Sequence, residues 1–210
     1  MDYSIYMQFF VAMLAIVNPF GLLPVFIGLT SDQSARERRR TALMAPLASL
    51  IILWLVLLLG ENVLAFFSIS VASFQVAGGV LLGFTAIAML QGKLGDTRRT
   101  SEEGREAATM ESITLVPLAL PLIAGPAAIT TVIVFTQSHH SVAAKGALAV
   151  VMLLLALVTW LILLAAPVLA RWLGTTGINL ITRVMGLVMM ALAVEFIANG
   201  IKGLFPVLAR

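Results

Sequence analysis

The sequence predicts an all-α membrane protein of six transmembrane helices, built as two inverted three-helix repeats with broken helices 1 and 4. Three observations lead there: more apolar surface than a soluble core can bury, six apolar runs of spanning length, and paired proline-glycine interruptions in the first and fourth runs. Of 210 residues 60% are hydrophobic and 11% charged, with a mean hydropathy of +1.06, whereas soluble domains carry about 25% charge. The sequence pI of 9.8 would suggest nucleic acid in a soluble chain. Here the basic residues flank apolar spans and read as topology signals, so no nucleic-acid partner is expected. Cysteine is absent, which rules out disulfides, thiolate metal sites and cysteine nucleophiles. The chain start lacks a basic n-region and runs straight into a span-length apolar stretch, so it reads as helix one rather than a cleaved signal.

A hydrocarbon core of about 30 Å needs about 20 helical residues, which places the spans at about 5–29, 42–60, 70–91, 113–136, 144–168 and 183–206. Runs of this length are helices because backbone groups cannot stay unpaired in lipid; a β-barrel would show short alternating segments. Arg36, Arg38, Arg39 and Arg40 fall in the first expected loop, Lys93, Arg98, Arg99 and Arg105 in the third, and Arg171 and Arg183 around the fifth. The positive-inside rule makes these loops cytoplasmic and leaves Lys145, Lys202 and Arg210 outside. Both termini are then periplasmic, in a multi-pass protein of the cell inner membrane. The chain forms a single transmembrane domain, with repeat one over about 1–91, a charged cytoplasmic linker over about 92–112 and repeat two over about 113–210.

The repeat rests on matched positions. Gly78 falls on Gly186 and Gln91 on Asn199 at an offset of 108, Asn18-Pro19 falls on Gly125-Pro126 at 107, and Trp54 precedes Trp160 by 106. An odd number of helices per copy inverts one copy against the other. Gln75 and its counterpart Arg183 begin spans three and six on opposite sides, with the Arg inside.

Pro19 and Pro24 interrupt the first span, and Pro117, Pro121 and Pro126 the fourth. Each proline inside a helix removes a donor and clashes one turn back, and Gly21 and Gly125 let the chain unwind beside them. Freed amides and carbonyls at such mid-membrane breaks need partners, which in inverted-repeat transporters are substrate and coupling ion. The candidate substrate-binding residues are therefore Asn18, Pro19, Gly21, Pro24, Gly125, Pro126, Thr130 and Thr131, and a zwitterionic amino acid fits their polarity. The alternative is that the kinks shape packing while Thr130 and Thr131 bond back to carbonyls.

Coupling or gating candidates are Glu195, Asn199, Gly78, Gly79, Arg183 and Gly186. Glu195 is costly in lipid and should face the interior or water; it either couples protons or is held by Asn199 one turn on. The glycines allow close helix contact, static or sliding, and Arg183 also reads as a snorkelling anchor. His139 and His140 have no further ligands at metal spacing, so no metal is expected. No phosphate loop, nucleophile elbow or His-Glu-x-x-His occurs, so neither a cofactor nor an enzyme activity is expected.

Taken together, Asn18-Pro-Phe-Gly-Leu-Leu-Pro-Val-Phe26, Phe74-Gln-Val-Ala-Gly-Gly79, Val116-Pro-Leu-Ala-Leu-Pro-Leu-Ile-Ala-Gly-Pro126 and Arg183-Val-Met-Gly186 with Glu195-Phe-Ile-Ala-Asn-Gly-Ile201 resemble the MarC family of integral membrane proteins along essentially the whole chain. Within it the chain looks closest to the branch called YchE or SnatA-like. The resemblance implies a six-helix inner-membrane protein grouped with transporters of small neutral amino acids such as glycine, alanine, serine and threonine. Antibiotic efflux is not implied. Gln75 stands where the motif leads one to expect a basic residue.

The leading expectation is a secondary transporter of small neutral amino acids, driven by a sodium or proton gradient or by the solute itself. A lipid-carrier flippase and a non-transporting scaffold or regulatory subunit are the alternatives, with an intramembrane enzyme ranked below them. Expected partners are the amino acid, Na+ or H+, and membrane lipid, with a homo-oligomer left open.

Overall fold

A computed structural model describes residues 3–92, 123–139, 141–205 and 207. Regular structure among them is entirely helical: α1 (Tyr3–Val17), α2 (Leu23–Leu29), α3 (Ala35–Phe66), α4 (Val71–Leu90), α5 (Pro126–Ser138), α6 (Val142–Leu164) and α7 (Ala166–Leu204). The helices α3, α4, α6 and the Thr176–Leu204 part of α7 are each long and apolar enough to cross a membrane, while α1 and α5 are shorter apolar helices.

The first expected span is two helices. Asn18 adopts a left-handed φ of 45°, which stops α1, and Pro19 cannot resume it. The turn is self-contained, with the Asn18 N–H donating to the Leu14 carbonyl at 2.9 Å and the Leu22 N–H to the Asn18 carbonyl at 3.2 Å. Pro24 then lies in the first turn of α2, where a missing N–H costs nothing. Of the expected fourth span only residues 123 onward are described. Pro117, Pro121 and the charged linker expected at about 92–112 lie outside the described residues, apart from Gly92 at its start.

Two sequence expectations are corrected. The arginines at 36, 38, 39 and 40 sit in the first turns of α3 rather than in a loop. The reason is a capping box: Glu37 N–H donates to Ser34 Oγ at 3.3 Å and Ser34 N–H donates to Glu37 Oε2 at 2.8 Å, which starts the helix ahead of the cluster. At about 1.5 Å per residue the 32-residue α3 overhangs any bilayer core, and the basic cluster rides on the overhang. Arg38 reaches back to the Thr30 carbonyl at 3.2 Å, a cation at the exposed carbonyl end of α2.

The second correction concerns the fifth connection, where a loop is expected between spans five and six. Instead α7 follows directly after Ala165, and its non-helical residue is Gly174, with φ 60° and ψ −179°. Glycine takes that backbone at no steric cost, so the chain bends once and resumes as helix at Thr176. Arg183 therefore lies inside a helix, on an exposed face, and does not begin one.

Packing centres on α4 against α7, the most extensive helix pair, with α3 beside α5 and α6 and α1 beside α5, α6 and α7. A Cβ on Gly79 would lie 2.7 Å from Ile197 Cγ1 and 2.9 Å from the Ala193 carbonyl oxygen; one on Gly186 would lie 3.1 Å from Met89 Cβ and 3.3 Å from the Ala86 carbonyl oxygen. Trp54 Nε1 donates to the Ala149 carbonyl at 3.2 Å, tying α3 to α6. Phe9, Met13, Phe26, Leu82, Met89 and Leu148 are fully buried, whereas Met7, Leu58, Phe84 and Leu187 point outward and suit a lipid surround. Several buried hydroxyls bond back to a carbonyl one turn earlier: Thr30 to Phe26, Ser49 to Ala45, Thr136 to Val132 and Thr159 to Leu155, all at 2.7 to 2.8 Å, the pattern expected where no water competes.

The contrast between Gly79 and Gly83 tests the packing. Gly79→Val is expected to destabilise the protein by roughly 1–3 kcal/mol through overpacking. Gly83→Ala, whose new Cβ meets nothing nearer than 3.8 Å, should leave thermal unfolding in detergent unchanged. Equal loss in both variants would show that close approach at Gly79 is not what holds the pair.

Candidate functional site

The first break is closed by its own side chain. Asn18 is buried, its Oδ1 accepts the Gly21 N–H at 3.2 Å, and its Nδ2 points to Met89 Sδ of α4 at 3.8 Å. Gly21 is required by that arrangement, since a Cβ there would collide with the Asn18 carboxamide. Pro19 is buried in the turn and Pro24 is exposed on α2.

At the second break Gly125 is the N-cap of α5 and Pro126 its first residue. Thr130 Oγ1 donates to the Pro126 carbonyl and Thr131 Oγ1 to the Ala127 carbonyl, both at 2.8 Å. Their hydroxyls are thus occupied within the helix. Thr130 also fills the space beside Gly78, where an added Cβ would strike it. Gly125 and Pro126 line a small cavity of about 240 Å³ together with Ile16, Leu81, Thr85 and Met189. The second break borders it directly, and α1 contributes Ile16, two residues ahead of Asn18.

A larger cavity of about 600 Å³ opens between α1, α5 and α7, toward the end of the bundle where α1 and α4 begin and α5 and α7 finish. Its walls are mostly apolar, including Val11, Ala15, Phe135 and Leu192, and four polar side chains line it: Gln8, Gln75, Glu195 and Asn199. Asn199 Nδ2 donates to Glu195 Oε1 at 2.9 Å, so the expected pairing on α7 exists and faces this cavity. A carboxylate beside three carboxamides offers an acceptor for an ammonium group and several donors for a carboxylate or hydroxyl. Among the described residues no Lys, Arg or His lines either cavity.

The structure thus gathers Glu195 and Asn199 at one cavity and Gly125 and Pro126 at another. Gly78, Gly79 and Gly186 lie in helix contacts and Arg183 on the surface. Gln8, which the sequence reading passed over, and Gln75, which it read as the start of span three and as a missing positive charge but not as a site residue, are the added site residues. Their common signal was a lone carboxamide inside an apolar run.

Comparison with known proteins agrees that the chain is an integral membrane protein. The sequence model described as MarC family integral membrane protein matches residues 3–205. The UPF0056 membrane protein YhcE of Escherichia coli (strain K12) is 48% identical over 98% of this chain and 95% of its own length. The UPF0056 membrane protein BU267 of Buchnera aphidicola subsp. Acyrthosiphon pisum is 43% identical, again over 98% and 95%. The archaeal UPF0056 membrane protein MJ1677 of Methanocaldococcus jannaschii is 37% identical over 97% of this chain and 98% of its own. No solved structure matches.

Asn18 gives the site its testable element. A left-handed backbone costs a non-glycine residue about 1–2 kcal/mol, and Asn18→Ala keeps that strain while losing the bond to Gly21. Asn18→Gly relieves the strain and should unfold at a higher temperature than Asn18→Ala in detergent. If alanine is the better substitute, the left-handed turn is not what Asn18 supplies.

Proposed function

We propose, from the premise that this chain belongs to the MarC family of integral membrane proteins, that it is a secondary transporter of small neutral amino acids. The observation that carries the reading is the large cavity, which penetrates the bundle beside the broken first helix and presents Gln8, Gln75, Glu195 and Asn199 against apolar walls. A zwitterion places its ammonium on Glu195 and its carboxylate on the carboxamides, and the apolar walls receive a short side chain. Glycine, alanine, serine and threonine are the substrate class. A sodium or proton gradient is the candidate drive, with Glu195 as the group that would sense it.

The proposed architecture is six spans in two inverted repeats, in which α1 with α2 forms span one and α5 completes span four. Support comes from the contact between α4 and α7. Gly79 meets Ala193 and Ile197, and Gly186 meets Ala86 and Leu90. These three pairs, 79 with 186, 86 with 193 and 90 with 197, are each 107 positions apart. One glycine contact is therefore the other seen after a half turn. The same offset relates Asn18-Pro19 to Gly125-Pro126, and it refines by one residue the 108 that aligns Gly78 with Gly186 by letter. The positive-inside rule then puts the large cavity on the periplasmic side of an inner membrane.

One observation disfavours the flippase reading: among the described residues neither cavity has a basic lining residue, so there a lipid phosphate would lack its counter-charge. The scaffold reading predicts that the polar lining is dispensable.

Counterflow of labelled glycine, alanine, serine and threonine into liposomes holding the purified protein tests the proposal. Wild type should accumulate label above empty liposomes, and Glu195→Gln should reduce the initial rate about tenfold, equivalent to about 1.4 kcal/mol. A folded wild type that carries none of the four overturns the amino-acid reading.

A further inference from the structure

The two cavities are related by the same offset that relates the two glycine contacts. Val188 and Leu192 line the large cavity, and the residues 107 positions earlier, Leu81 and Thr85, line the small one. Ile16 and Ile123 are also 107 apart, and both line the small cavity. A pair of counterparts meeting in one place is what a pseudo-two-fold axis through the middle of the bundle produces. Gln75 of the large cavity corresponds at this offset to Thr182. Thr182 is only 6% exposed, and its hydroxyl has no hydrogen-bond partner among the described residues. A buried hydroxyl left unpaired costs about 1–3 kcal/mol, so this one calls for a partner in another arrangement of the chain.

We infer that the small cavity is the collapsed counterpart of the large one, and that it opens toward the opposite membrane face, exposing Thr85 and Thr182, when the large cavity closes. This rests on the transport reading and adds a second binding chamber to it. The physical basis is that two copies of one fold packed about an axis can exchange conformations at little net cost, because each then makes contacts already tested in the other. The two glycine contacts between α4 and α7 are exchanged by that axis and look alike in both arrangements, so the pair can serve as pivot. The chamber would be lined differently from its mate. The counterparts of Glu195 and Asn199 are Ala88 and Gly92, so among the described residues it offers the unpaired Thr182 hydroxyl and the Thr85 hydroxyl that donates to the Leu81 carbonyl at 3.1 Å, with no carboxylate. It suits a neutral, hydrogen-bonding solute and holds an ammonium group less firmly than the large cavity does.

The absence of cysteine makes every engineered thiol the only one in the chain. Four variants, Gln75→Cys, Leu192→Cys, Thr85→Cys and Thr182→Cys, would be treated with a membrane-impermeant cationic methanethiosulfonate in right-side-out and inside-out vesicles, after gel filtration confirms that each is folded. Gln75→Cys and Leu192→Cys should react from one face, and Thr85→Cys and Thr182→Cys from the other, each at least tenfold faster than from its wrong side. Bridging Gln75→Cys to Leu192→Cys in the double variant with a short bifunctional thiol reagent, to hold the large cavity in one state, should change labelling of a third thiol at Thr85 at least threefold.

Thr85→Cys and Thr182→Cys that are both inert from either face, or that react from the same face as Gln75→Cys, overturn the inference. The thiol readout is independent of cargo. Two-sided labelling without counterflow of any of the four amino acids would leave the exchange standing and remove the substrate class. Counterflow without labelling at Thr85 or Thr182 would do the reverse.

Discussion

The fold depends on how closely two helices can approach in a solvent that gives them no hydrophobic reason to do so. Lipid tails are as apolar as leucine, so helix association in a membrane comes from packing detail and polar contacts. At Gly79 the α4 backbone comes near enough to α7 that a methyl group would meet the Ala193 carbonyl, and at Gly186 the reverse contact is made against Ala86. Those two contacts set the separation and crossing of the central pair. The broken first helix and α5 then lie against this pair, and the space that they leave unfilled is the large cavity. A bulkier residue at either glycine would push α4 from α7 and alter the cavity from a distance.

A second constraint decides what the interruptions can do. Polar groups that are not paired within the chain are expensive in lipid, and a broken helix is usually read as a source of groups waiting for a ligand. Asn18 shows the other solution, since its carboxamide and the local turn occupy the amide and carbonyl groups released there. Thr130 and Thr131 turn their hydroxyls onto carbonyls of their own helix one turn into α5. The first break thus acts as a shaped joint that turns the chain with the Asn18 carboxamide held on the Gly21 amide. The chemistry available to a solute shifts to the carboxylate and three carboxamides of the large cavity.

Much of this was legible in the sequence, and the failures have physical causes. The all-helical class, the apolar spans and the interruption at Asn18-Pro19 followed from hydropathy and proline placement. The basic cluster at 36–40 looked like loop because charge density was weighed without the Ser34–Glu37 capping box, which makes a charged segment the first turns of a helix. The missing fifth loop turns on Gly174, one glycine among sixteen, whose positive φ bends the chain within a continuous helical stretch, so that the polar Thr175-Thr176 beside it is helix and not loop. The proposed offset of 107 differs by one residue from the 108 read by matching letters, and one residue is about 100° around a helix. Matching Gly78 to Gly186 by letter therefore selected a glycine that faces Thr130, while the neighbouring Gly79 faces α7. Gln8 and Gln75 were hard to single out because an isolated carboxamide in an apolar run is as compatible with a packing role as with a binding one.

Under the proposed repeat the scaffold is more symmetric than the chemistry. The glycine contacts and the breaks at Asn18-Pro19 and Gly125-Pro126 share an offset of 107, as two copies solving the same packing problem would. The polar cavity lining does not: Glu195 and Asn199 face Ala88 and Gly92 across the repeat, and Gln75 faces Thr182. Retained geometry with divergent lining is what selection would leave where the geometry permits exchange between two states and the lining decides what is held in each. A purely structural duplication gives no reason for a carboxylate to persist at one copy of a membrane position, because burying or exposing it to lipid costs several kcal/mol and an alanine serves the packing equally well, as it does at position 88.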